Sequence, residues 1–167
     1  VVAVRHRGRT AVVAAGLAAV LALVVQLGLD PAVAGRQLRR SVLEAPGLGL
    51  SWDLSVDGID AWLVLLLAMS TLWAALIHCG RRAGPRSLSP SLLLGLEALG
   101  LLALTSRDLF VFFVACEGVA AVGRRSGHPT GRARGCSVGA TVALAGVVGW
   151  LHHAAGGSFS YEALQAA

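Results

Sequence analysis

Lysine is absent from this chain, and all 14 basic side chains are arginine. Charge of either sign is scarce, 14% of 167 residues against 56% hydrophobic. A single soluble domain of this length could not hide that much apolar surface, so the expected class is an all-α integral membrane protein. Cysteine is also sparse: Cys79, Cys116 and Cys136 are odd in number and form no C-x-x-C pair, which leaves no basis for a disulfide framework or zinc site. No Gly-rich nucleotide loop or iron–sulfur cysteine set is present, and no cofactor or metal is expected. A pI near 10.4 would point to nucleic acid if the arginines shared one face. They fall instead in short clusters between apolar runs, as in cytoplasmic loops of membrane proteins, so the expected surroundings are a lipid bilayer and no nucleic acid.

Five apolar runs follow one another, and about five transmembrane helices are expected in one helical domain over 1–167. The crossings fall near 10–29, 59–79, 90–106, 108–123 and 137–153, with an outside loop at 30–57. Thr10 is placed to cap the first helix after Arg5, Arg7 and Arg9. A secretory signal competes there, with Ala32-Val33-Ala34 as a cleavage-like site, although the run of about 19 residues exceeds the usual h-region of roughly 7 to 15. Within the 30–57 loop, Leu48 to Val56 reads as a short extended piece. Asp57-Gly58 is a turn signal before the second run, whose Ser70 and Thr71 can bond back to the helix's own carbonyls. Ser89-Pro90 is a cap and first-turn pair for the third run, and Asp108 starts the fourth. Pro129 bars a helix from continuing through the arginine- and glycine-rich segment at 124–136, which reads as an inside loop, with RNA contact the alternative. His152-His153 reads as a solvated helix end, since adjacent side chains point to different faces and suit a metal poorly.

Two glutamates stand inside this apolar background. Glu97 lies ten residues before Arg107 and Glu117 ten after it, so with the turn at 105–108 both sit about 15 Å from it, near the middle of a hydrocarbon core about 30 Å thick. A charge there costs at least ~2.5 to 3.5 kcal/mol, which makes both carboxyls proton-channel candidates. The alternative is that either is a hydrogen-bonded group holding helices together. Arg107 and Arg124, the nearest arginines in sequence, sit at helix ends, so no arginine is expected to neutralise Glu117.

The order LSWDLSVDGIDAWLVLL, LLLGLEALGLLALTSRDLFVFFVACE and GGSFSYEAL resembles the amino-terminal part of the antiporter-like membrane subunits of respiratory complex I. It is most similar to subunit M of bacterial NADH-quinone oxidoreductase, and more distantly to multi-subunit cation/proton antiporters. Asp57-Gly58 matches the V-D-G-[IL]-S signature, and Asp108, Phe110 and Glu117 match the D-L-F-x-F-[FY]-x-F-x-E run. The resemblance implies a fragment of an antiporter-like bundle, with Glu117 as a proton-channel residue that the family pairs with a lysine on a later helix. It also implies other membrane subunits of complex I, or of a related antiporter complex, as partners. Cys116 stands where tryptophan is usual. The expectation is a truncated or degenerate subunit-M-like protein in a bacterial plasma (inner) membrane, without a redox centre of its own and not a complete pump by itself. The alternative is a small helical packing or assembly protein with no transport activity.

Ten arginines lie in segments placed inside, with the N-terminus cytoplasmic and the C-terminus outside, and four lie in segments placed outside. In a background without native cysteines, a cysteine at Ser41 should therefore label from outside and one at Ser126 only from inside. The reverse labelling pattern overturns this orientation.

Overall fold

The structure is a computed structural model that describes residues 2–30, 33, 37–45, 50–80, 89–126 and 131–166. The arginine loop at 81–86 and the Pro129 break lie outside the described residues, as does most of the cleavage-like site. Six helices and one hairpin follow in the order α1 Val2–Gly28, β1 Gln37–Ala45, β2 Leu50–Val56, α2 Gly58–Gly80, α3 Pro90–Thr105, α4 Leu109–Ser126, α5 Gly131–Ala154 and α6 Tyr161–Ala166. The chain is mostly helical, consistent with a membrane helical bundle. Gly8–Gly28 and Gly58–Cys79 are long and apolar enough to cross a membrane, and Pro90–Thr105 and Val138–Ala154 are shorter apolar helices.

Three expectations change. Thr10 does not cap α1, because the helix already runs from Val2; arginine is a good helix former and a single glycine, Gly8, does not break it. The fifth helix starts at Gly131, six residues before the apolar run that signalled it, since the polar lead-in prolongs the helix. The loop at 30–57 contains an antiparallel hairpin, so the fold is not purely α. Its second strand covers most of the extended piece expected at 48–56. Its first strand, QLRRSVLEA, was missed because two register irregularities, between Gln37 and Arg40 and between Ser41 and Leu43, spoil the period of two by which a strand is read.

The starts of α2, α3 and α4 fall where the sequence marks them. Asp57 Oδ1 accepts from Asp60 N at 2.7 Å, Ser89 Oγ accepts from Leu92 N at 3.3 Å with Pro90 in the first turn, and Asp108 Oδ1 accepts from Phe110 N at 2.8 Å and Val111 N at 3.1 Å. Each carboxylate or hydroxyl satisfies amides that have no partner within the helix.

The core is a seam of small residues. Ala11, Ala15, Ala19 and Ala22 of α1 are buried, as are Ala61, Val64, Ala68, Thr71 and Ala75 of α2 at alternating spacings of three and four. Antiparallel packing brings Ala15 against Ala75, and Ala19 and Ala22 against Val64 and Ala68. The large side chains point outward: Leu17, Leu21, Leu27, Trp62, Leu66 and Trp73 are exposed. Small residues inside and bulky apolar residues outside reverse the soluble pattern and suit packing in lipid, where close backbone approach replaces the hydrophobic drive. Thr71 is tolerated within the seam because its hydroxyl donates to Leu67 O at 3.0 Å, and Ser70 does the same at 2.7 Å.

Helix α3 joins this pair through Leu93, Leu101 and Leu104. A Cβ at Gly100 would stand 2.7 Å from Leu67 of α2, and one at Gly118 would stand 2.8 Å from Leu99 of α3. Glycine thus sets the approach of α3 on one side and of α4 on the other. Ala68→Leu should lower stability by about 1 to 3 kcal/mol through overpacking, read as the midpoint of SDS unfolding in mixed micelles. Leu21→Ala on the outer face should stay within about 0.5 kcal/mol of the parent.

Candidate functional site

Glu97 sits on the stripe Leu93, Glu97, Leu101 and Leu104, spaced at four, four and three residues along one face of α3. Because those leucines pack on the α1–α2 seam, Glu97 faces the same way. Its side chain is buried at 4% exposure, and Oε1 has no hydrogen-bond partner among the described residues. Glu117 turns elsewhere. Thr141 Oγ1 of α5 donates to Glu117 Oε2 at 2.9 Å, and Arg124 Nη2 lies 4.0 Å from the same oxygen. The two carboxyls are therefore directed at different neighbours, a rotation that the residue count along the hairpin does not contain.

Arg124 corrects the expectation that no arginine reaches Glu117. The apolar run stops at Gly123, but α4 continues to Ser126. A residue seven positions on has completed nearly two helical turns and returns to the same face, about 10.5 Å away along the axis. An arginine side chain pointing back toward the helix N-terminus spans most of that distance.

The family-motif residues lie at the starts of α2 and α4. Asp108, 1% exposed, caps α4 as described, while Asp57 caps α2. Gly58 has open space around a built Cβ, so no crowding requires glycine there. Phe110 packs against Phe159 with ring centroids 5.6 Å apart. The turn between α3 and α4 is held from two sides. Arg107 N donates to Asp53 O at 3.0 Å, Leu109 N to Phe159 O at 2.9 Å, and Tyr161 N to Arg107 O at 3.1 Å. Around it, Arg39 Nη1 lies 2.8 Å from Glu162 Oε1, Arg107 Nη1 lies 3.5 Å from the same oxygen, and Arg39 Nη2 reaches Asp53 at 3.6 Å.

None of Arg39, Asp53, Glu162 or Tyr161 was singled out from the sequence, since ion pairing between distant segments leaves no local signal. Arg39 and Glu162 are about half exposed, so this pair is worth at most ~1 kcal/mol; the backbone bonds and the Asp108 cap hold the turn. A cleft of about 150 Å³ at this turn is lined by Ser106, Arg107, Asp108, Leu109, Phe112 and Tyr161. His152 departs from the solvated end expected for it, because its ring stacks on Phe159 at 3.9 Å; His153 is exposed. Among the described residues no three His, Cys, Asp or Glu side chains cluster as metal ligands do.

A helical membrane bundle with a small-residue seam and an acid in its interior defines the class. Within that class, the chain is homologous to subunits called NAD(P)H-quinone oxidoreductase chain 4. It is 36% identical over 90 residues to the one from Synechococcus sp. (strain RCC307), covering 54% of this chain and 16% of the relative. It is 34% identical over 94 residues to that of Synechococcus sp. (strain CC9605), covering 54% and 17%. With that of Prochlorococcus marinus (strain NATL1A) it shares 33% identity over 94 residues, covering 54% and 16%. The aligned part thus spans about a sixth of the length of the curated relatives it matches. No family model matches the chain. The subunit-M resemblance read from the motifs agrees with these relatives.

Asp108→Ala should lower stability by about 0.5 to 2 kcal/mol, the usual cost of a lost N-cap. Asp108→Asn, which keeps an acceptor oxygen, should recover most of it in the same SDS-unfolding measurement.

Proposed function

We propose that the chain acts as an antiporter-like, subunit-M-like membrane component of a proton-translocating NADH-quinone oxidoreductase, seated among the complex's other membrane subunits in a bacterial inner membrane. The similarity to chain 4 of NAD(P)H-quinone oxidoreductases carries this reading. Redox chemistry belongs to other subunits, and this chain contributes ionisable groups within the membrane. Glu97 and Glu117 are those groups, because a carboxyl held in hydrocarbon is costly and is by default functional. Glu97 suits a proton relay better: it is buried, and its Oε1 is open to a water or a neighbouring donor.

The proposed orientation keeps the N-terminus cytoplasmic and the C-terminus outside. It is supported by the meeting of β2, the α3–α4 turn and the segment before α6 at one end of the bundle, as alternating crossings require. The arginine distribution then selects which side that end faces.

A second reading, a helical packing or assembly protein without transport, draws on the partners of Glu117, a threonine and an arginine of its own chain. Expression of the tagged chain with the membrane subunits of an NADH-quinone oxidoreductase separates the two. The chain should migrate with those subunits on native gels in mild detergent. Glu97→Gln should keep that assembly while reducing NADH-driven proton uptake by inverted vesicles. Unchanged uptake with assembly intact favours the packing reading, and a chain that migrates alone overturns both partner assignments.

A further inference from the structure

Helix α5 is the least embedded of the long helices. Val138, Val142, Val147 and Trp150 are all exposed, and built Cβ atoms at Gly139, Gly146 and Gly149 meet nothing within 4 Å. Val148 is its one buried apolar side chain among the described residues, so side-chain packing covers a small part of its length. What does reach α5 midway along α4 is polar. Glu117 Oε2 accepts from Thr141 at 2.9 Å and lies 4.0 Å from the Arg124 guanidinium, so one oxygen joins a hydroxyl of α5 to a cation of α4.

The route between Glu117 and Arg124 is clear of bulk. The residues three and four positions after Glu117 are Ala120 and Ala121, the two places on that face where a larger side chain would obstruct the arginine's arm. Glu97 of α3 faces the α1–α2 seam, and His152 of α5 is at the opposite end, stacked on Phe159. Glu117 is 24% and Arg124 37% exposed, so the pair lies partly covered on the flank of α4 that faces α5.

We infer that Arg124 is the counter-ion of Glu117 within the same helix, and that Glu117, Arg124 and Thr141 form a polar lock fastening α5 to α4. The lock is a property of this chain alone and stands whether or not the chain assembles with an oxidoreductase. Arg124 is a positioning residue: it keeps the carboxylate aimed at Thr141, and the Thr141 hydroxyl then holds α5.

A double-mutant cycle on the full chain in mixed micelles tests this, read as the SDS unfolding midpoint. Glu117→Gln and Arg124→Gln should each lower the midpoint, and the double variant should be no less stable than the weaker single one. Arg124→Lys should restore most of the loss. Additive losses, or an Arg124→Gln variant as stable as the parent, overturn the inference. Where Glu117→Gln fails to fold, Thr141→Val takes its place in the cycle: it should lower the midpoint, and adding Arg124→Gln to it should cost no more than the larger single loss, whereas additive losses reject the lock.

Discussion

A peptide group with no partner is costly wherever water is scarce, and the turn from Ser106 to Asp108 is where this chain meets that constraint outside its helices. Helix α3 has just ended and α4 has not begun, so several amides and carbonyls would be left open. The chain closes them with distant segments: Asp53 from the hairpin, Phe159 and Tyr161 from the connection to α6, and the Asp108 side chain from within. Much of the remaining architecture follows. The hairpin and α6 are drawn to one end of the bundle, and the α3–α4 pair is kept in register with both. Arg39, Arg107, Asp53 and Glu162 surround this knot, but their exposed ion pairs add little to the backbone bonds beneath them.

Toward the middle of the bundle the governing fact is the size of side chains. Alanines on α1 and α2 let two backbones approach closely, Gly100 admits Leu67, and Gly118 admits Leu99. With no apolar gain to be had from leaving lipid, dispersion contacts at short range do the holding. Packing this close leaves few places for a polar atom. Thr71 and Ser70 solve the problem by bonding to Leu67 O. Glu97 Oε1 is left without a hydrogen-bond partner among the described residues.

The two glutamates have different partners because their helices present them to different surroundings. Glu97 looks into the seam, where nothing charged accompanies it. Glu117 looks toward α5 and has two partners supplied by this chain. A carboxyl with a free oxygen is suited to exchanging a proton, whereas one committed to a threonine and an arginine is suited to holding two helices together. Relatedness to chain-4 subunits does not by itself distinguish these surroundings.

From sequence alone came the helical class, the resemblance with which the relatives agree, and the starts of α2, α3 and α4 with their capping residues. These rest on local physics: apolar run length, and the short reach of Asp57, Ser89 and Asp108 to amides two or three residues on. The equal spacing of Glu97 and Glu117 along their helices from the 105–108 turn was legible too, because rise per residue is constant. Their facing was not, since the rotation of a helix about its axis is set by its neighbours. Tertiary structure therefore decided that Glu97 faces α1 and α2, that Glu117 meets Thr141, and that Arg124, read as part of a loop, lies on the same face as Glu117. It also decided the Arg39–Glu162 pairing across 123 positions, which no local pattern encodes, because only the folded chain brings those two segments together.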